Sequence, residues 1–158
     1  MDYRDYLEIL NREGMLTTIE QEVDWNLETA CITAMLQRVS QGQHFVLFNN
    51  VKGYYPDKGR LVSNLRELNR RKFWEIPSLM MGLPTDIPLE DFREEYLRRY
   101  MSPIKPTEVS AADAPCKEVI KMGKDANLLD LPIPFVHSTD GGRYLTDHWV
   151  INQDPDTG

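Results

Sequence analysis

Residues 128–158 read LLDLPIPFVHSTDGGRYLTDHWVINQDPDTG, and this stretch decides how the whole chain is interpreted. Pro132 and Pro134 fix their own φ angles and push the residues before them out of the helical region, so no helix can cross this run. The triplet Asp140-Gly141-Gly142 favours a turn, because paired glycines reach positive φ without a Cβ clash. The stretch therefore predicts an extended segment followed by a chain reversal.

A strand is predicted over residues 144–153, which are rich in aromatic and β-branched side chains. Its pleat places Leu145, Trp149 and Ile151 on one face and Thr146, His148 and Val150 on the other. The first set is bulkier and more apolar, so we expect it to face the core and leave Thr146 and His148 facing a cleft. The following DPDTG suits a hairpin turn, so a partner strand is expected downstream and the chain is expected to be the start of a longer protein.

These motifs, in this order, resemble the UbiD family of decarboxylases, which includes aromatic-acid, ferulic-acid and gallate decarboxylases. Further segments are similar to the amino-terminal third of that family in matching order: DYRDYLEILNREGML, EVDWNLE, FNNVKGY, APCKEVI and GKDANLLDLPIP. A lone DGG or DPDTG would be a weak signal, whereas several ordered segments over the length of the chain are specific.

The resemblance implies a decarboxylase that acts reversibly on an aromatic or α,β-unsaturated carboxylic acid. It implies prenylated FMN as the cofactor, made by a flavin prenyltransferase and held through its phosphate by Mn²⁺ with K⁺ nearby. Loss of carbon dioxide leaves carbanion character on a carbon that cannot stabilise it, so this chemistry needs an electron sink. A homo-oligomer is implied for the full-length enzyme.

The family's metal-holding and acid–base residues are implied to follow the DPDTG-like turn. No catalytic, cofactor-binding or metal-binding residue is therefore assigned within this chain, and Thr146 and His148 are candidates only for the rim of the substrate pocket. The chain alone is expected to be inactive. The alternative interpretation is a non-catalytic small subunit or assembly domain that partners a catalytic chain.

Composition excludes several classes of partner. The net charge is −7 over 158 residues, and the basic residues are dispersed apart from two short runs at 70–72 and 98–99, so we expect neither nucleic-acid nor anionic-membrane binding. No apolar run approaches membrane-spanning length, and Met1 begins an amphipathic pattern without a signal-peptide core, which predicts a cytoplasmic protein. Cys31 and Cys116 are expected to be reduced, packed thiols.

The fold predicted from periodicity is α/β: residues 1–113 are expected to form a mixed α+β sheet covered by helices. A proline-punctuated connector that begins at Ser102 is expected to end this domain. Residues 114–158 are then expected to be the first strands of a flavin-binding split β-barrel. Four helices are predicted. The first spans residues 2–12, and the second begins at a cap formed by Asp24 or Asn26 and ends at Gly42. The third runs from Asn64 through Trp74, and the fourth spans residues 89–101. The predicted strands in the first domain are 15–23, 44–48 and 60–63, and Cys116–Met122 is predicted to open the second domain.

Two helices have predicted inward faces. The second helix is expected to bury Leu27, Cys31, Ala34 and Met35, and the helix over 89–101 to bury Leu89, Phe92, Tyr96 and Tyr100. Four-apart pairs of Glu94 with Arg98 and of Glu95 with Arg99 are expected on the exposed side of the latter.

Three sets of polar side chains are candidates for a metal-binding or anion-binding site. His137, Asp140 and His148 have the side chains of a divalent-metal set, but they lack a fixed ligand spacing, so structural roles are favoured. Arg143 could bind a carboxylate or phosphate, although pairing with Asp140 or Asp147 is preferred. His44 is interpreted as a core or edge residue.

Overall fold

The computed structural model describes residues 3–39, 45–56, 59–64, 72–145 and 154–157. Its helices and strands, in chain order, are α1 Tyr3–Arg12, β1 Leu16–Ile19, α2 Glu28–Val39, β2 Phe45–Phe48, β3 Leu61–Asn64, α3 Glu75–Met80 and α4 Leu89–Tyr100. Short 3₁₀ turns follow at Pro115–Lys117, Gly123–Asp125 and Leu128–Asp130.

A three-stranded mixed sheet lies at the centre of the fold, in the order β1-β2-β3. Strand β1 runs parallel to β2, with Leu16 opposite Phe45, whereas β3 runs antiparallel to β2, with Leu61 opposite Phe48. A parallel pair needs a crossover connection, and α2 supplies it. The central strand FVLF is buried along its whole length, as expected for a strand covered on both faces.

Two hydrophobic clusters lie on the two faces of this sheet. One contains the buried residues Val23, Val46, Phe48, Val51 and Tyr54, with Ile32 and Leu36 of α2 packed against it. The other contains Tyr6, Leu7, Leu10, Phe45 and Leu79, which brings α1 and α3 to the opposite face. Alternate residues of β2 thus enter different clusters, and the sheet forms the middle layer between helices.

The first helix and the first three strands agree with the sequence predictions. Helix α1 buries Tyr6, Leu7 and Leu10 and ends before Gly14, whose φ of 70° is in the left-handed region that favours glycine. Strand β1 is shorter than predicted, but Val23 extends the parallel pairing through a bridge to Val51. Residues 40–44, which include His44 and the predicted helix stop at Gly42, lie outside the described residues.

The predicted inward face of α2 is wrong. Cys31, Ala34 and Met35 are exposed, and the helix instead turns Thr29, Ile32 and Leu36 toward the core. The run ACITAML is apolar at nearly every position, so periodicity alone could not select one stripe. Cys31 and Cys116 are free thiols, as predicted, but both are exposed, so the prediction that they are packed is wrong.

The helix predicted from Asn64 through Trp74 does not have those bounds. Asn64 ends β3, residues 65–71 lie outside the described residues, and residues 73–74 form a turn before α3. Helix α3 contains Pro77 within its first turn, where a missing N–H costs little. The Trp74 indole Nε1 donates to the Ile87 carbonyl at 2.8 Å, which fixes the loop after α3.

Helix α4 has nearly the predicted bounds but a narrower buried face. Phe92 is buried, whereas Tyr96 is 50% and Tyr100 is 71% exposed. Arg98 and Arg99 both bind Glu95 at 2.6 Å, so the expected pairing of Arg98 with Glu94 is wrong.

The strand predicted over Cys116–Met122 is also wrong. The segment begins in a 3₁₀ turn and continues as irregular chain, with Val119, Ile120 and Met122 largely exposed. A lone strand would leave its backbone groups without ladder partners, and no described strand pairs with this segment. The described residues therefore show a mixed α/β fold, and the start of a split barrel stays a prediction.

None of the helices in the described ranges combines the length and apolarity needed to cross a bilayer.

Candidate functional site

The loop between β1 and α2 presents an edge of backbone to the carboxyl-terminal part of the chain. Asp24 organises this loop: its Oδ1 accepts from the Asn26 N–H at 2.8 Å, and its own N–H donates to Glu28 Oε2 at 2.7 Å. Asp24 thus closes a turn ahead of α2, which begins only at Glu28, so neither Asp24 nor Asn26 caps the helix as predicted. Leu27, just before the helix, has a φ of 68°, a conformation uncommon for a branched side chain.

The proline-rich run after Asp130 docks on this edge in the extended form that was predicted. The Leu27 N–H donates to the Phe135 carbonyl at 2.9 Å, and the Phe135 N–H donates to the Trp25 carbonyl at 3.0 Å. Ile133 is buried, and the chain at Gly59 passes close to Pro132, which a Cβ added to this glycine would meet at 3.7 Å. Two backbone hydrogen bonds and an apolar contact thus fix this run against the sheet domain.

Arg143 makes the most informative side-chain contacts in the described chain. Its guanidinium carbon lies 3.3 Å from the centre of the Trp25 ring, within the range of a cation–π interaction. Its Nη1 donates to the Tyr54 hydroxyl at 2.7 Å, and that hydroxyl donates to the Leu129 carbonyl at 2.8 Å. The predicted pairing of Arg143 with Asp140 is therefore wrong, and Asp147 lies outside the described residues.

Two further charged side chains, Asp24 and Lys52, lie near this contact. Lys52 Nζ lies 2.9 Å from Asp24 Oδ2. The Asn26 N–H and then Lys52 hold the pKa of the Asp24 carboxyl below its ordinary value, and Arg143 adds to that effect. The hydrogen bond to Asp24 raises the pKa of Lys52. Arg143 therefore lies in a field that already contains a carboxylate, which disfavours a free anion as its partner.

His137 and Asp140 are joined in a turn, and His148, the third residue of the weighed metal set, lies outside the described residues. Asp140 Oδ2 accepts from the His137 N–H at 2.9 Å, and the Asp140 N–H donates to the His137 carbonyl at 3.0 Å. The imidazole Nδ1 is 3.4 Å from the same carboxylate and its side chain is largely exposed. Within the described ranges, no three His, Cys, Asp or Glu side chains are grouped to hold a metal ion.

The turn at Gly141-Gly142 forms without the left-handed conformation expected of it, since neither glycine has a positive φ. The Asp140 carboxylate instead closes the turn over residues 137–140, directly before the two glycines. The candidate rim residues Thr146 and His148 lie outside the described residues, as does most of the strand predicted over 144–153. Tyr144 and Leu145 are irregular.

The predicted turn at Asp154 is confirmed. Its Oδ1 accepts from the N–H groups of Asp156 and Thr157, each at 2.8 Å. The hydrogen bond from Thr157, followed by that from Asp156, holds the pKa of the Asp154 carboxyl below its ordinary value.

Sequence reasoning did not find Trp25 and Tyr54. Tyr54 lies 89 positions before Arg143, so no local spacing connects them. The only available signal was that both aromatic residues lie in loops that join predicted elements, where a large side chain often has a docking role.

A surface hollow of about 430 Å³ lies elsewhere, between α1 and the loop after α3, and is lined by residues such as Ile9, Leu79 and Leu83. It contains none of the predicted site residues.

Comparison with known proteins places both parts of the chain. Residues 7–95 match the family described as the 3-octaprenyl-4-hydroxybenzoate carboxy-lyase amino-terminal domain, UbiD_N. Residues 107–158 match the Rift-related domain of the same carboxy-lyase, UbiD.

Relatives align along the full chain. A phenolic acid decarboxylase from Sedimentibacter hydroxybenzoicus is 32% identical over 98% of this chain, and ferulic acid decarboxylase 1 from Saccharomyces cerevisiae is 29% identical over 99%. The chain spans 31% of the length of each.

A solved structure agrees with the fold. The UbiD-class enzyme HmfF from Pelotomaculum thermopropionicum, in an evolved dimeric form in complex with prFMN, is 30% identical, with a TM-score of 0.75 over 98% of this chain and 33% of its own. Since the two domain matches together span most of the sequence in the order found in that carboxy-lyase, the chain belongs to the UbiD family.

Proposed function

We propose that this chain is the amino-terminal portion of a prenylated-FMN-dependent decarboxylase that acts reversibly on an aromatic or α,β-unsaturated carboxylic acid. The observation that carries the proposal is the similarity along 98% of the chain to a UbiD-class enzyme in complex with prFMN. The phenolic acid and ferulic acid decarboxylases found among its relatives support the substrate class.

No residue of this chain is assigned to hold prenylated FMN, Mn²⁺ or K⁺, because the family resemblance implies that the metal-holding and acid–base residues follow the DPDTG-like turn. When bound, prenylated FMN supplies the electron sink that decarboxylation of such acids requires. The chain's own described contribution is an α/β domain and a segment of the Rift-related match that docks on it.

Residues 114–158 are proposed to begin the split barrel, with the domain boundary near Asp113. Thr146 and His148 are proposed to lie at the rim of the substrate pocket. A flavin prenyltransferase is proposed as the source of the cofactor, and the full-length enzyme is proposed to be a homo-oligomer.

The test uses the full-length protein that contains this chain, produced together with a flavin prenyltransferase. The purified protein is incubated with vanillic, ferulic and pyrrole-2-carboxylic acids, and the decarboxylated products and carbon dioxide are quantified. Turnover of at least one acid that depends on the bound prenylated flavin is expected. A flavin-loaded protein that converts none of these acids, and carboxylates none of the products in bicarbonate, would overturn the proposal.

A further inference from the structure

The contacts between residues 128–145 and the sheet domain converge on one side chain. The Arg143 guanidinium carbon lies over the Trp25 ring, and its Nη1 donates to the Tyr54 hydroxyl, which in turn donates to the Leu129 carbonyl. We define the three side chains of Trp25, Tyr54 and Arg143 as the clasp. The clasp joins Trp25 and Tyr54, which lie within the amino-terminal domain match, to residues near both ends of the segment 128–145, here called the docked segment.

The clasp holds a position in the chain that backbone hydrogen bonds leave weakly fixed. The backbone pairing of the docked segment is centred on Phe135, with the Tyr144 N–H reaching back to the Pro134 carbonyl at 3.3 Å. Between these two points the chain runs through the exposed His137 and the two-glycine turn. Arg143 is thus the side chain that returns the chain to the sheet domain after the turn.

Arg143 is suited to this role because its guanidinium contacts the Trp25 ring and donates a hydrogen bond to Tyr54 at the same time. The planar group stacks on an indole and at the same time presents N–H donors at its edge, which an ammonium group cannot do. Arg143 contributes to the lowered pKa of the Asp24 carboxyl, so a carboxylate already lies near this arginine and disfavours a further anionic ligand. The geometry therefore fits a structural anchor better than a substrate-binding arginine.

We propose that Arg143 is a positioning residue: through its contacts with Trp25 and Tyr54 it holds Arg143–Leu145, the described residues after the Asp140–Gly142 turn, against the amino-terminal domain. This inference rests on the proposed function where it concerns catalysis. Thr146 and His148, the proposed pocket-rim residues, follow directly in the chain, so we expect a shift at Arg143 to affect catalysis. A displacement of about 1 Å at a reacting group can lower a rate about 100-fold.

The test compares Arg143→Met, Arg143→Lys and the control Arg93→Met in the full-length protein loaded with prenylated FMN. Arg93 is a matched control because its side chain is exposed and, among the described residues, is paired only with Glu90, at 3.2 Å. Three quantities are measured: amide hydrogen exchange in residues 128–145, flavin content, and kcat and KM for the best acid substrate.

Arg143→Met is expected to speed exchange in residues 128–145 about tenfold, because a cation–π contact and a charge-assisted hydrogen bond are both lost. Exchange in β2 should not change. At equal flavin content kcat is expected to fall about 10- to 100-fold. Arg143→Lys should remain closer to Arg143→Met than to the unsubstituted protein, and Arg93→Met should leave all three quantities unchanged.

A second variant removes the other side of the clasp. Trp25→Leu is expected to reproduce the local exchange effect of Arg143→Met, and the double variant should add little to either, because residues in direct contact are not additive. Additive effects of the two substitutions would show that they act separately and would overturn the clasp.

Three further results would overturn the inference. Unchanged exchange with a lower kcat or higher KM would mean that Arg143 acts on the substrate directly. Faster exchange throughout the chain would mean a general loss of stability, and full rescue by lysine would mean that charge alone matters. If the unsubstituted protein shows no decarboxylation, the proposed function fails, whereas the exchange measurement still decides whether the clasp holds the segment.

Discussion

Tyr6 places its ring in the cluster between α1 and the sheet, edge-on to Phe45 with ring centres 6.0 Å apart. Burial raises the pKa of the Tyr6 hydroxyl to about 12. The folded state therefore keeps a proton that the unfolded state loses between pH 10 and 12. Stability from this group is complete below pH 10 and falls as the pH rises through that window.

We therefore expect Tyr6→Phe to remove part of the alkaline loss of stability. Between pH 9 and 11.5 the free energy of unfolding of the unsubstituted chain should fall by about 2 kcal/mol more than that of the variant. Urea titrations at both pH values measure the difference. Tyr100→Phe is the control, since that ring is 71% exposed. An identical alkaline decline in Tyr6→Phe and the unsubstituted chain would show that Tyr6 is not a source of the pH dependence.

His148 lies outside the described residues, and its role is predicted from the pleat of the strand over 144–153. A histidine on the cleft side could donate to a substrate hydroxyl or carboxylate, which predicts that His148→Ala lowers kcat/KM about 5- to 100-fold. The full-length enzyme with unchanged cofactor content is the sample. A change of less than twofold would assign His148 to the surface.

At the scale of the element, α4 shows that aromatic side chains on one predicted inward stripe can differ in burial. Phe92 is buried, whereas Tyr96 on the same stripe is half exposed, with their ring centres 6.1 Å apart. Phe92→Ala should lower the free energy of unfolding by about 3 kcal/mol or more, because it removes a buried ring. Tyr96→Ala is the matched control and should cost clearly less. Equal shifts in melting temperature would mean that the stripe is buried along its whole length.

Element types were easier to predict than buried faces. The FVLF strand and the helix after Pro88 have local signals, a short apolar run and a helix-start proline, and both are present. The face of α2 was not predictable, since its apolar residues surround the helix and only contact with Val46 and Phe48 selects Ile32 and Leu36. Propensity alone also gave a strand over Cys116–Met122, where no described partner strand pairs with it.

At the scale of the whole molecule, the sequence allowed the α/β domain and the extended form of the LPIP run to be predicted, because proline geometry and periodicity are local properties, whereas the docking of that run was not predicted. The clasp could not be predicted in the same way. Tyr54 and Arg143 are 89 positions apart in the chain. Asp140, the predicted partner of Arg143, instead accepts a hydrogen bond from the His137 N–H. Long-range polar contacts depend on how the two domain matches meet, which no local pattern encodes.

The distribution of chemistry along the molecule gives a final prediction. The family resemblance implies that the metal ligands and acid–base residues follow the DPDTG-like turn, and the described residues contain no group of metal-ligating side chains. A flavin phosphate without its metal and anchoring groups would have to compete with water for exposed donors, which gives little net binding. This chain of 158 residues, produced alone beside a flavin prenyltransferase, is therefore expected to purify without a flavin absorbance band.

The control for this experiment is the full-length protein purified from the same cells, which should carry the flavin band and its metal. Circular dichroism and a cooperative melt of the short chain would show that it is folded, so that absence of flavin reflects missing ligands and not an unfolded domain. A stoichiometric flavin band with bound metal on the short chain would contradict the prediction. The phosphate and metal would then have to be held by residues of this chain, and the assignment of all cofactor chemistry to later residues would be wrong.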